Sequence, residues 1–278
     1  MSAITYLYVP GNAVGRFVKA DASGADAVIF DLEDAVHRDD KEAARTHVAQ
    51  HLALPRPAGV ETWVRLNGDE RVVADVAAVV GPALTGVILA KTAGVEELAA
   101  LDEVLAAAEL ERGLVRGRIA VAPLIESGLG LANVVEIARS PRVSTLHLGE
   151  VDLAADLGLE PGPDAIELLF ARSQVVVACS AAGIGSPVAP VSPDFRDLTA
   201  YAVTTRALRR LGFVGRACIH PAQLQVVRDV FTPTATEASE AADVLRRLDE
   251  AAGGVAVDAQ GRMIDEAVAR HARRLLAT

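Results

Sequence analysis

The sequence predicts an α/β fold, a closed (β/α)8 barrel of the TIM type followed by a C-terminal helical extension. Eight short β-rich runs recur along the chain. Most are separated by stretches rich in Ala, Leu, Glu and Arg, whose apolar spacing suits amphipathic helices. The length of 278 residues is one that a single barrel commonly occupies.

The runs fall at residues 4–9, 27–32, 62–66, 86–90, 119–124, 143–148, 184–188 and 217–219. Helical stretches such as 95–108 and 131–140 lie between them. Strand, helix, strand repetition implies a parallel sheet with right-handed crossovers. A doubly wound sheet shares that pattern, but eight units favour closure. Residues 221–230 read as the last barrel helix, and Thr232-Pro233-Thr234 breaks the chain there. The barrel domain is therefore expected over 1–231 and the extension over 232–278. The extension holds a helical segment at 238–252, a turn at Gly253-Gly254, a short run at 255–257, a turn at Gly261 and a final helix over 265–276. It is too small for an independent core and is expected to pack on the barrel or on a neighbouring subunit.

Apolar residues make up 51% and charged residues 23%, the balance of a chain that buries a large core rather than remaining disordered. The net charge of -10 argues against a nucleic-acid surface, which needs clustered Lys and Arg. No apolar run is long enough to span a bilayer, and the first residues lack the pattern of a secretory signal, so a cytoplasmic location is expected. The two cysteines, Cys179 and Cys218, sit among apolar or small residues and read as buried, reduced thiols.

In such a barrel the chemistry gathers where strands end in loops at one mouth. Asp31, Glu33 and Asp34 close the second run, Arg65 and Asn67 the third, Lys91 the fourth, Glu126 the fifth, and Glu150 with Asp152 the sixth. A hard divalent cation such as Mg2+ takes one or two carboxylates and keeps water or substrate on its other positions. Glu126 and Asp152 supply that number. Acids after strands also cap helices, and Glu126-Ser127-Gly128 is open to that competing reading. There is no nucleophile elbow, no HExxH, and no Cys or His cluster at metal spacing. His220 ends the eighth run and reads first as a structural histidine, while His37, His47 and His51 look exposed. Lys91 has an ion pair with a mouth acid as its plainest reading.

The strings Tyr8-Val9-Pro10-Gly11-Asn12, Phe30-Asp31-Leu32-Glu33-Asp34-Ala35-Val36, Arg65-Leu66-Asn67, Pro123-Leu124-Ile125-Glu126-Ser127 and 212–221 stand in this order. Together they resemble the citrate lyase beta-subunit-like branch of the HpcH/HpaI aldolase family, over nearly the whole chain. The resemblance implies a TIM-type barrel that binds Mg2+ and a coenzyme A thioester and assembles as a homotrimer or higher homo-oligomer. It implies Glu126 and Asp152 as metal ligands, Arg65 as the holder of the substrate carboxylate or oxygen, and Glu33 and Asp34 as acids near the metal's waters. Asp31 and Lys91 join the expected substrate-binding set. Gly261-Arg262-Met263-Ile264-Asp265 resembles the family's C-terminal motif, which implies that Asp265 is the acid or base, reaching an adjacent subunit. The family's usual Gly-Ala-Glu-Asp-Leu stands here as Gly149-Glu150-Val151-Asp152-Leu153, and Ala267 replaces a common proline.

The expected activity is cleavage, or the reverse condensation, of a short hydroxyacyl thioester such as malyl-, citramalyl- or citryl-CoA, giving an acyl-CoA and a 2-oxo acid. The alternatives are a metal-dependent aldolase acting on free acids and a catalytically silent subunit of a complex.

Overall fold

The computed structural model of the chain describes residues 3–251, 256–258 and 260–276. Eight parallel strands close into a barrel in sequence order: β1 (Thr5–Pro10), β2 (Ala27–Asp31), β3 (Glu61–Leu66), β4 (Gly86–Leu89), β5 (Ala120–Ile125), β6 (His147–Leu148), β7 (Val188–Ala189) and β8 (Gly215–Cys218). Closure comes from β1, which pairs with β2 on one side and with β8 on the other, Leu7 opposite Cys218. Around them run α1 (Val14–Asp21), α2 (Lys41–Leu52), α3 (Val72–Val79), α4 (Val95–Glu111), α5 (Gly128–Ala132), α6 (Val134–Ala138), α7 (Glu150–Leu157), α8 (Leu169–Ala182), α9 (Leu198–Leu211) and α10 (Ala222–Phe231).

Strand periodicity sends alternate side chains inward. Tyr6, Ala27, Ile29, Trp63, Ile88 and Leu124 therefore share one buried interior cluster. The largest of them, Trp63, dictates a neighbour. A Cβ at Gly86 would lie 2.3 Å from the Trp63 ring and 2.8 Å from the Ala120 carbonyl oxygen, so only glycine lets the indole lie across the barrel. The same register aligns the mouth, with Pro10 opposite Asp31 and Asp31 opposite Arg65.

Two apolar runs yield less strand than their length suggests. Val143 contributes only a bridge to Val121 ahead of β6, and residues 184–187 stay outside β7 because Pro187 has no N–H for the ladder. The expected helix over 131–140 is two short ones that meet at Asn133. The Asn133 side chain donates to the Ala93 carbonyl, 2.8 Å away, and so ties this junction to the loop after β4. His51 is not exposed. It is buried against Phe17 and Phe30 and accompanied by Asp21 and Arg56, an enclosure made by residues remote from it in sequence. Cys179 and Cys218 are both buried and free, and burial pushes their thiols up to about 12 and about 11.

The chain divides into two compact units, residues 3–227 and residues 228–278. The second holds α11 (Ala235–Glu250), β9 (Ala256–Val257), β10 (Met263–Ile264) and α12 (Glu266–Leu276). Thr234 starts α11 earlier than apolar spacing alone suggests, because Thr234 and Glu237 bond reciprocally as a capping box. Leu248, Ile264 and Ala269 form this unit's small core. The Gly253-Gly254 turn lies outside the described residues. Among those described, no helix is long and apolar enough to cross a membrane.

Candidate active site

A cavity of about 850 Å³ opens where the strands end. Its wall includes Tyr8 from β1, Asp31 from β2, Arg65 from β3, Glu126 after β5, His147 and Asp152 from β6 and α7, and His220 after β8. Parallel strands all present their carboxyl ends on one face of a barrel, so residues far apart in sequence meet there.

Arg65 is the anchored element. Its Nε and Nη2 donate to the two oxygens of Asp31, at 2.7 and 2.5 Å, and Nη1 lies 3.1 Å from Glu33 Oε2. A guanidinium has five N–H donors, so two remain for another partner. Burial works against this charge, but Asp31 outweighs it and keeps Arg65 protonated. Asp31 is fully engaged. Beyond Arg65 it accepts from the backbone N–H groups of Glu33 and Ala35, which makes it the support behind Arg65.

Glu33 also receives Lys91 Nζ at 2.8 Å, and Lys91 reaches Asp34 at 3.4 Å. The plain ion-pair reading of Lys91 is therefore what the geometry shows. Burial raises Glu33 despite its cationic neighbours. Burial also acts to raise Asp34, but hydrogen bonding with Glu33 and the charges of Lys91 and Arg65 prevail and lower it. Lys41 clasps the same loop from outside, its Nζ donating to the carbonyls of Leu32 and Glu33 at 2.7 and 2.6 Å. Nothing local in the sequence signals that clasp.

Glu126 is 4% exposed. Its Oε1 accepts the Lys91 backbone N–H at 2.6 Å, which Lys91 can aim because it sits at φ 55 in the left-handed region. Oε2 has no hydrogen-bond partner among the described residues. The cap of α5 is Ser127, whose side chain accepts from Gly130, so Glu126 is not held at a helix start. Desolvation raises Glu126 to about 7, with Asp152 and Glu33 adding to the rise. Asp152, in the first turn of α7, also has no side-chain partner among the described residues and is exposed to the cavity. Glu150 is different, its carboxylate bound to Arg172 Nε and Nη2 at 2.5 and 2.8 Å. A Cβ at Gly149 would sit 2.7 Å from both Glu126 Cβ and Oε2, so the residue before Glu150 must be glycine for Glu126 to reach the cavity.

Glu126 Oε2, on a buried residue, and the exposed Asp152 carboxylate face one cavity as hard oxygen donors with room for water and substrate oxygens. They fit a divalent cation of that preference. Among the described residues no group of three or more His, Cys, Asp or Glu side chains is placed to hold a metal ion, so a cation here would draw its remaining ligands from water and substrate.

Several wall residues were not anticipated. Arg16 and Lys19 on α1 are exposed at the cavity and have no side-chain partner among the described residues. Two basic residues three apart, directly after the first strand of an acidic chain, are the signal for them. His220, expected as a structural histidine, accepts the Ala222 N–H on its Nδ1 at 3.1 Å, and it also lines the cavity, stacked on Phe195 with ring centroids 5.1 Å apart. Asp265 belongs to the C-terminal unit, where its Oδ1 accepts from Ala267 and Val268 N–H at 2.9 and 3.0 Å and caps α12.

Acids and an anchored arginine gathered at the carboxyl ends of barrel strands define the chain as a (β/α)8-barrel enzyme. The sequence profile of the HpcH/HpaI aldolase/citrate lyase family matches residues 5–221. The citrate lyase subunit beta of Leuconostoc mesenteroides is 32% identical over 98% of this chain and 91% of its own. The L-malyl-CoA/beta-methylmalyl-CoA lyase of Cereibacter sphaeroides is 31% identical over 96% and 91%. A crystal structure of CitE from Mycobacterium tuberculosis in complex with magnesium, acetoacetate and coenzyme A superposes with a TM-score of 0.81 at 29% identity, covering 99% of this chain and 97% of that one. Another structure of that protein, in complex with magnesium and pyruvate, superposes with a TM-score of 0.70 at 29% identity, covering 84% and 92%. The chain belongs to the HpcH/HpaI aldolase/citrate lyase family and is a carbon–carbon lyase of the citrate lyase beta-like group.

Proposed function

We propose that the protein cleaves, or in reverse forms, the carbon–carbon bond of a short carboxylated hydroxyacyl-CoA such as malyl-, citramalyl- or citryl-CoA, with magnesium held by Glu126 and Asp152. One observation carries this reading: among the described residues, Glu126 Oε2 and the Asp152 carboxylate have no hydrogen-bond partner, in the same cavity as an arginine with two N–H groups left over from its own ion pairs. The magnesium complexes of the M. tuberculosis relative support the choice of cation.

When bound, the metal supplies Lewis-acid polarisation of the substrate's 2-oxygen. Arg65 offers its free N–H groups to the substrate carboxylate, and Asp31 prevents it from swinging away. Glu33 and Lys91 keep the loop behind Arg65 rigid. Arg16 and Lys19 supply positive charge at the rim for the phosphates of the thioester's carrier. In cleavage the hydroxyl loses its proton, the carbon–carbon bond breaks, and the electron pair passes to the thioester enolate. That enolate takes up a proton and leaves as acyl-CoA, while the hydroxyl carbon becomes the carbonyl of a 2-oxo acid. Asp265 is the proposed proton carrier, brought by a neighbouring chain in a homotrimer or larger homo-oligomer. The exposed Leu157, Ile166, Leu169 and Phe170 are consistent with such an assembly.

The test is to incubate the protein and magnesium with a panel of hydroxyacyl-CoA thioesters and free hydroxy-oxo acids, and to assay 2-oxo acid release. Release from thioesters, lost in Asp152→Ala with an unchanged melting transition, is the expected result. Release from free acids alone would replace the thioester reading with a free-acid aldolase, and unchanged turnover in Asp152→Ala would remove that residue from the mechanism.

A further inference from the structure

Two polar side chains in the cavity wall lack hydrogen-bond partners among the described residues, and neither belongs to the machinery above: the phenol of Tyr8 and the imidazole of His147. Tyr8 points inward from β1, half-buried, with the Arg65 guanidinium over its ring at 5.2 Å. His147 is 3% exposed and meets Tyr6 edge-on, ring centroids 5.6 Å apart. Both face the cavity with no protein partner to satisfy them among the described residues, so each is open to hydrogen-bond a ligand there, and a site built to pair with a substrate's oxygen discriminates against an analogue that lacks it.

Their protonation states are set by the barrel. Burial raises the Tyr8 phenol well above its ordinary range, so it is a hydrogen-bond donor at any working pH. Burial and Arg65 together push His147 down to about 3, so the ring is neutral, with one nitrogen donating and the other accepting. The pair therefore forms an uncharged but hydrogen-bonding floor beside Arg65. A 2-oxo acid held there through its carboxylate and 2-oxygen has one part left to face that floor, the substituent on its third carbon.

We propose that Tyr8 and His147 read this substituent and select one that carries an oxygen acceptor, a hydroxyl or a carboxylate, over an alkyl group of the same size. The inference rests on the thioester lyase reading for the placement of the 2-oxo acid. It adds a specificity rule that the metal and Arg65, which touch atoms common to every 2-oxo acid, cannot supply.

The test pairs isosteric acids: hydroxypyruvate against 2-oxobutyrate, and oxaloacetate against 2-oxoisocaproate. Each is measured for condensation with acetyl-CoA and, separately, for calorimetric binding to the protein with magnesium. The oxygenated member of at least one pair is expected to lead by about fivefold or more in kcat/KM and in affinity, the factor that one hydrogen bond of ordinary net strength provides. The pair that shows the lead tells a hydroxyl reader from a carboxylate reader. Tyr8→Phe and His147→Leu should each shrink the lead through KM, with kcat within about twofold, and His147→Asn should restore part of it. A ratio near one in the intact protein, or a lead that both substitutions leave unmoved, overturns the inference. Selective binding of the free acids without turnover of any thioester would retain it and sink the thioester reading. Turnover without selectivity would do the reverse, and loss of both binding and turnover would remove both.

Discussion

Replacing Glu126 by glutamine removes a charge while keeping nearly the same shape, including the acceptor that receives the Lys91 N–H at 2.6 Å. The native carboxyl rises from 4.5 to about 7, a difference of about 2.5 units, or roughly 3 kcal/mol at about 1.4 kcal/mol per unit. At 4% exposure that sum needs little reduction for solvent screening. A carboxyl raised on folding binds its proton more tightly in the folded protein than in the unfolded chain. Its stabilising contribution is thus complete below about pH 4.5 and is lost as pH rises through about 7. About 1.5 of the 2.5 units lie above pH 5.5. Melts in chelator at about pH 5.5 and about pH 8.5 should therefore show the native protein losing about 2 kcal/mol, or about 4 °C, relative to Glu126→Gln. Millimolar magnesium should restore the native protein at the higher pH and leave the variant nearly unmoved, because a cation offsets the charge that burial penalises. Parallel pH curves for the two proteins in chelator would refute the picture of a buried, near-neutral acid poised for a metal.

Three further outcomes follow from the same geometry. Gly149→Ala places a methyl 2.7 Å from Glu126 Oε2 and should weaken magnesium binding by about tenfold or more, read by calorimetry, with circular dichroism unchanged. The double substitution Arg16→Ala with Lys19→Ala should raise KM for a CoA thioester by about tenfold at low salt and by less at high salt, while kcat holds. Asp265→Asn keeps an N-cap acceptor for the N–H groups of Ala267 and Val268. It should lower kcat by about a hundredfold without altering thioester binding if Asp265 moves the proton, and a kcat within twofold would assign it to capping alone.

Much of this protein was legible in one dimension. Eight β-rich runs and the helical spacing between them follow from side-chain periodicity, a local property, and they already imply a parallel closed sheet. Because parallel strands point one way, Asp31, Arg65, Glu126 and Asp152 fall at one mouth by their positions in the sequence alone, and the ordered strings already carry the family resemblance. What the sequence left open was which acids stay free. Asp31, Glu33, Glu126, Glu150 and Asp152 look alike as letters after strands. Only packing gives Asp31 and Glu33 to Arg65, gives Glu150 to Arg172, lets Ser127 take the helix cap, and leaves Glu126 Oε2 and Asp152 without a hydrogen-bond partner among the described residues. Burial of His51, the clasp of Lys41 and the neutral floor of Tyr8 and His147 were hidden for the same reason. Hydrogen-bond partners and desolvation are set by atoms brought close in space, and those distances exist only once the chain has closed on itself.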